Sequence, residues 1–106
     1  MKNKIITSTL EDSNNLSSTA AALVLPLILH TDDLNMIDKE DFISSVGLKM
    51  DIRTWDKYWE ELAEALVIAP LGKELVYWMV SPYQCQTEGI PRDILLGRWD
   101  LINAAR

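Results

Sequence analysis

Residues 51–67, DIRTWDKYWEELAEALV, carry five carboxylates (Asp51, Asp56, Glu60, Glu61, Glu64) against two bases, Arg53 and Lys57, a local charge of −3. Bases on a helix can hold phosphates, and acids repel them. The charges are unevenly spread. Residues 51–57 sum to zero, whereas Glu60, Glu61 and Glu64 all fall in the second half. One stretch therefore offers two chemistries, contact with an anion at its start and capture of a basic surface further along. A third option is purely local: Arg53 with Asp56 and Lys57 with Glu61 are i,i+3 and i,i+4 pairs, each worth a few tenths of a kcal/mol.

The remaining reactive residue types are sparse. Cys85 is the only cysteine, so no intramolecular disulfide forms, and a lone cysteine is read as a small half-buried hydrophobe. His30 is the only histidine and ends an apolar run, where a cation suits the negative end of a helix. No second His or Cys stands at ligand spacing, and a zinc site needs at least three protein ligands, so no metal is expected. TDDLN, with Asp38, Glu40 and Asp41 nearby, lacks the glycine and the spacing of a calcium loop and is read as a solvated face. Phosphate-binding glycine loops, nucleophile elbows and paired metal ligands are absent, so neither an enzyme nor a cofactor is expected.

The totals point to one domain. At 106 residues, 48% hydrophobic and 25% charged, with four Gly and four Pro, the chain can bury a core without disulfides or metal. A net charge of −6 counts against a broad electrostatic grip on nucleic acid and leaves room only for a local basic patch. AAALVLPLIL (20–29) is about half a membrane span and contains Pro26, so it reads as a buried helix, and a soluble cytoplasmic protein without membrane contact is expected.

The elements that would position these residues follow from caps and periodicity. KNKIITSTL (2–10) contains a short alternating section, a strand or a loosely held arm, and EDSNNLSS (11–18) is turn-prone. Ser17 or Ser18 caps an apolar helix that runs to about His30, with Pro26 either kinking it or marking a later start. Asp38 caps a short helix closed by Gly47, with Ile37 and Phe42 as a hydrophobic staple. Asp51 caps a long helix, with Met50 and Trp55 as the second staple. A short helix, a turn of about four residues and a long helix have helix-turn-helix spacing. Ile52, Trp55, Trp59, Leu62 and Leu66 form the expected inward stripe, opposite Arg53, Lys57, Glu60 and Glu64. LVIAP (66–70) and residues 74–81 then read as a β-hairpin around a Pro–Leu–Gly turn, SPYQCQTEG as a loop, and residues 90–106 as a docking helix with Leu95, Trp99 and Ile102 inward.

The segments IDKEDFISSVG, DIRTWDKYWEELAEAL and VYWMVSPYQ…EG…LLGRWD, in this order, resemble the winged-helix domain of plasmid replication-initiator proteins of the firmicute replication-protein-L type. The resemblance spans residues 16 to about 100. It implies an α+β winged helix-turn-helix with a two-stranded wing and a C-terminal helix. The chain as a whole is read as an N-terminal strand or arm at 1–15 and one domain at 16–106. It also implies a third helix that reads the major groove of double-stranded DNA. By position, Arg53, Thr54 and Lys57 become the groove-facing residues, joined by Lys49 before the helix and Lys73 at the wing tip. Two departures stand out: the helix is acidic, and Lys73 beside Glu74 leaves the wing tip neutral.

Two functional classes remain open. One is a DNA-binding protein of plasmid or phage origin acting in replication or transcription control, favoured by the architecture and the resemblance. The other is an acidic interaction module from a mobile element that binds a basic nucleic-acid-binding partner through Asp56, Glu60, Glu61 and Glu64. The acidic composition and neutral wing favour that alternative. Oligomeric state is left open, a homodimer included.

Overall fold

Ser17 turns the chain into its first helix: its Oγ accepts from the Ala20 N–H at 3.3 Å. The computed structural model describes residues 4–6, 16–47 and 49–105. The elements are β1 (Lys4–Ile6), α1 (Ser18–His30), β2 (Met36–Asp38), α2 (Lys39–Val46), α3 (Ile52–Glu64), β3 (Ile68–Pro70), β4 (Tyr77–Val80), β5 (Cys85–Thr87) and α4 (Arg92–Ala104). The fold is α+β. Of the expected arm at 1–15 only residues 4–6 are described, as a strand; the turn-prone stretch before Leu16 lies outside the described residues. Helix α1 continues through Pro26 from the expected start. Its last residue folds back, with His30 Nδ1 donating to the Pro26 carbonyl at 3.0 Å and the ring set edge-on to Phe42 at 5.3 Å.

The second and third helices start where their caps predict. Asp38 accepts from the Asp41 N–H at 3.1 Å and Asp51 from the Thr54 N–H at 2.8 Å. Gly47 ends α2 at φ 72°, a left-handed position that glycine adopts without a Cβ penalty. Both staples are seated, since Ile37, Phe42 and Trp55 are buried in one core with Met50 packed against it.

The hairpin is shorter than expected, and it belongs to a three-stranded sheet rather than a two-stranded one. β4 is central, antiparallel to β2 on one side and β3 on the other. β2 lies inside the staple that precedes Asp38, so its three residues read as a helix approach rather than a strand. The segment expected as a loop contains β5, which pairs with β1. Three residues are too few for an alternating pattern to register.

Strand alternation divides the core between two layers. Ile37, Ile68, Trp78 and Val80 join the α1–α3 core, while Ala69 and Met79 meet Leu95 and Trp99 of α4. The sheet is thus covered on both faces, which accounts for the nearly unbroken apolar run at β4. Trp55 and Trp59 are each 2% exposed. Phe42 packs on both, with centroids at 6.1 and 5.8 Å, and Trp59 meets Trp78 edge-on at 5.5 Å. Such pairs add roughly 0.5–1.5 kcal/mol beyond area burial. Two members of the expected stripe are not inside: Ile52 is 63% and Leu66 55% exposed. Ile52 opens the helix before its first turn meets the core. Helix α3 stops at Glu64, and Leu66 then takes φ 60°, which swings it off the helical stripe.

Asn35 joins the two sheets. It is fully buried at φ 62°, and its Nδ2 donates to the carbonyls of Val80 (3.2 Å) and Cys85 (2.9 Å). Its own carbonyl accepts from the Val80 N–H at 2.8 Å.

Candidate nucleic-acid interface

The first half of α3 presents Arg53 and Lys57 to solvent, one helical turn apart, with Lys49 exposed in the preceding turn. Thr54 is half-buried, and it faces its own helix cap. Hydrogen bonds from the Thr54 backbone N–H, and next from its hydroxyl, hold the Asp51 carboxyl below the usual carboxylate range. The Thr54 backbone N–H is therefore engaged with Asp51.

The acids of this helix have other partners than those expected. Asp56 pairs with Lys39 at 2.9 Å, the one ion pair between described residues. Lys39 Nζ also lies over the Trp59 ring at 5.7 Å. Glu61 accepts from the backbone N–H of Ser17, and its second oxygen accepts from Ser17 Oγ at 3.1 Å. The expected Arg53–Asp56 and Lys57–Glu61 pairs do not form. Lys57 Nζ instead sits 5.6 Å from the Tyr58 ring centroid. A carboxylate at a helix N-terminus gains more from exposed N–H groups than from a flexible lysine on its own helix.

Four of the seven residues in the 51–57 segment thus serve structure: Asp51 and Thr54 at the cap, Trp55 in the core, and Asp56 with Lys39. Among the described residues Arg53 and Lys49 make no ion pair. In the second half Glu60 and Glu64 are exposed, and Glu61 is half-buried against the start of α1.

Strand register locates the hairpin turn. β2 ends at Asp38 opposite Tyr77, so residues 71–76 project from the end of the sheet where α2 begins. The Lys39 N–H donates to the Val76 carbonyl at 3.0 Å, while its ammonium reaches Asp56. Lys39 therefore ties the root of the hairpin to the first half of α3. Lys73 is exposed on that turn beside Glu74. So are Leu75, Val76 and Tyr77, at 52, 38 and 58%. Leu75 holds φ 59°, and its carbonyl accepts the Trp78 indole N–H at 2.9 Å.

Lys39 has no signal in the sequence, because its partner lies on another helix. The apolar turn was visible as LVY but reads equally well as strand. Among the described residues no three His, Cys, Asp or Glu side chains are placed to hold a metal, and no helix is long and apolar enough to cross a membrane. No protein-family model, curated protein or solved structure matches this chain.

Proposed function

We propose that this chain is a winged-helix DNA-binding protein acting in replication or transcription control of a plasmid or phage. The order of elements supports the reading: strand, short helix, turn, long helix and hairpin, with the first strand added to the far strand of the hairpin. The observation that carries it is the engagement of the acids. Asp51 is spent on a cap, and Asp56 is neutralised by Lys39. Arg53 and Lys57 therefore face solvent, and neither forms an ion pair with a described carboxylate. A recognition helix contacts bases mainly through its N-terminal residues, so Glu60 and Glu64 need not enter the groove.

The test is fluorescence anisotropy with duplex fragments from upstream of the coding sequence. Arg53→Ala should weaken a cognate complex by about 1–3 kcal/mol if the guanidinium reads a guanine edge. Affinity should fall only gently with salt, because few phosphates are neutralised. Absence of binding at micromolar protein would remove the proposal.

The exposed Leu75–Val76–Tyr77 turn favours a second reading, an acidic module that meets a basic protein partner through Glu60 and Glu64. In that case Arg53→Ala is silent, and reversing Glu60 and Glu64 to Lys abolishes partner capture.

A further inference from the structure

A cavity of about 570 Å³ opens where the end of α3, the turn after β4 and helix α4 meet. Leu66 walls one side, swung off the helical stripe by its φ of 60° and left 55% exposed. The turn after β4 is tied to itself. Ser81 Oγ accepts from the Tyr83 N–H at 3.1 Å, and the Ser81 carbonyl accepts from the Gln84 N–H at 2.9 Å. This turn sets Gln84 into the cavity lining, where Trp99 of α4 joins it. Both side chains are buried, at 9% and 5% exposure. Among the described residues neither the Gln84 carboxamide nor the Trp99 indole N–H has a hydrogen-bond partner. Buried polar groups are ordinarily satisfied. The indole N–H of Trp59 is sealed in the core without a partner, whereas the polar atoms of Gln84 and Trp99 reach the cavity surface.

The charge at this site is positive. Arg92 lines the cavity, makes no ion pair among the described residues, and holds its guanidinium 5.6 Å from the Tyr83 ring centroid. It is also the first residue of α4, a helix with no side-chain cap, so the first N–H groups of that helix are left open. Asp93 follows it, but no acid lines the cavity.

We propose that this cavity binds a small organic carboxylate with an apolar body. The planar guanidinium of Arg92 suits a carboxylate fork, and the indole N–H of Trp99 and the amide of Gln84 donate to its remaining lone pairs. The apolar body lies against Leu66 and the Trp99 ring, and the volume is that of an ordinary small-molecule site. Charge selects the anion. One guanidinium in a chain of net charge −6 balances a carboxylate but leaves a phosphate dianion under-compensated. The site stands at the opposite end of α3 from Arg53, so the inference is independent of DNA binding.

Titration of the 15N-labelled protein with phenylacetate, followed by NMR, tests it. The assigned Trp99 indole N–H and the Gln84 side-chain amide should shift and saturate, with a dissociation constant on the order of millimolar, as expected of a fragment-sized ligand. The Trp59 indole signal should stay in place. Arg92→Gln, at an exposed position, should keep the spectrum of a folded protein and weaken phenylacetate by about tenfold, the loss of a charge-assisted hydrogen-bond pair. Arg53→Gln, with the same charge change, should bind as the wild type does. No saturation at concentrations on the order of 10 mM overturns the proposal. So does phenylacetamide binding as well as phenylacetate, phenyl phosphate binding more tightly, or an affinity that Arg92→Gln leaves unchanged.

Discussion

Helices α1 and α3 are each 13 residues long and bury one face in the same core, yet their outer faces are opposite in kind. Outside α3 stand Arg53, Asp56, Lys57, Glu60 and Glu64; outside α1 stand Ala22, Leu25 and Leu29. Single exposed leucines are ordinary. A contiguous apolar stripe beside an apolar groove, here walled by Ala22, Pro26 and Val46, is not. The inner faces answer to the same requirement, the filling of one core, while the outer faces reflect what each helix meets. The outer face of α3 is charged and solvated, whereas that of α1 leaves Leu25 and Leu29 open to solvent.

The largest test of this comparison is at the inner faces, where the helices should behave alike. Trp55→Ala or Trp59→Ala should cost about 3–5 kcal/mol, and Leu27→Ala about 2–5 kcal/mol, measured by urea denaturation. A loss below about 1 kcal/mol at either helix would break the comparison at its base, since large core truncations rarely cost so little. A smaller effect is expected where the two helices meet. Glu61→Ala removes the acceptor of the Ser17 N–H and hydroxyl and should cost about 1 kcal/mol. An unchanged urea midpoint would mean that α1 does not depend on α3 for its start.

The smallest effect sharpens the contrast between the caps, a hydroxyl at Ser17 and a carboxylate at Asp51. Because the folded Asp51 has the lower pKa, its contribution is complete above the unfolded aspartate value and is lost as pH falls through the folded one. Asp51→Asn keeps a good cap that does not titrate. The variant and the wild type should therefore keep a constant stability difference near neutrality, and the wild type should lose ground below about pH 4. Parallel curves down to pH 2 would show that the cap carries no linked proton.

Caps were the most legible part of the fold. Asp38, Gly47 and Asp51 act within three or four residues of themselves, so their role is written in short spacing. The aromatic stripe was legible for the same reason, except at its ends. There Ile52 and Leu66 followed the period, but the helix had not yet reached the core or had already stopped. β2 and β5 were not legible, since three residues hold too little pattern and their partners are distant in sequence. At the candidate interface the positions of Arg53 and Lys57 could be read, but the fate of the acids could not. Lys39 meets Asp56 across 17 residues and Ser17 meets Glu61 across 44, and only the packed helices bring them together.

Asn35 has a consequence for the order in which the chain acquires structure. Its amide waits on carbonyls 45 and 50 residues downstream, so the junction of the two sheets closes only after a long loop has been gathered. During synthesis α1, α2 and α3 all precede β4, the strand that gives both β2 and β3 their pairing. A nascent chain released only as far as Val67 thus exposes the faces of three helices with no sheet to cover them. Such surface is what draws chaperones and aggregation partners alike. The uncharged α1 emerges first, and of the three helices it keeps its apolar residues in contact with solvent for the longest time.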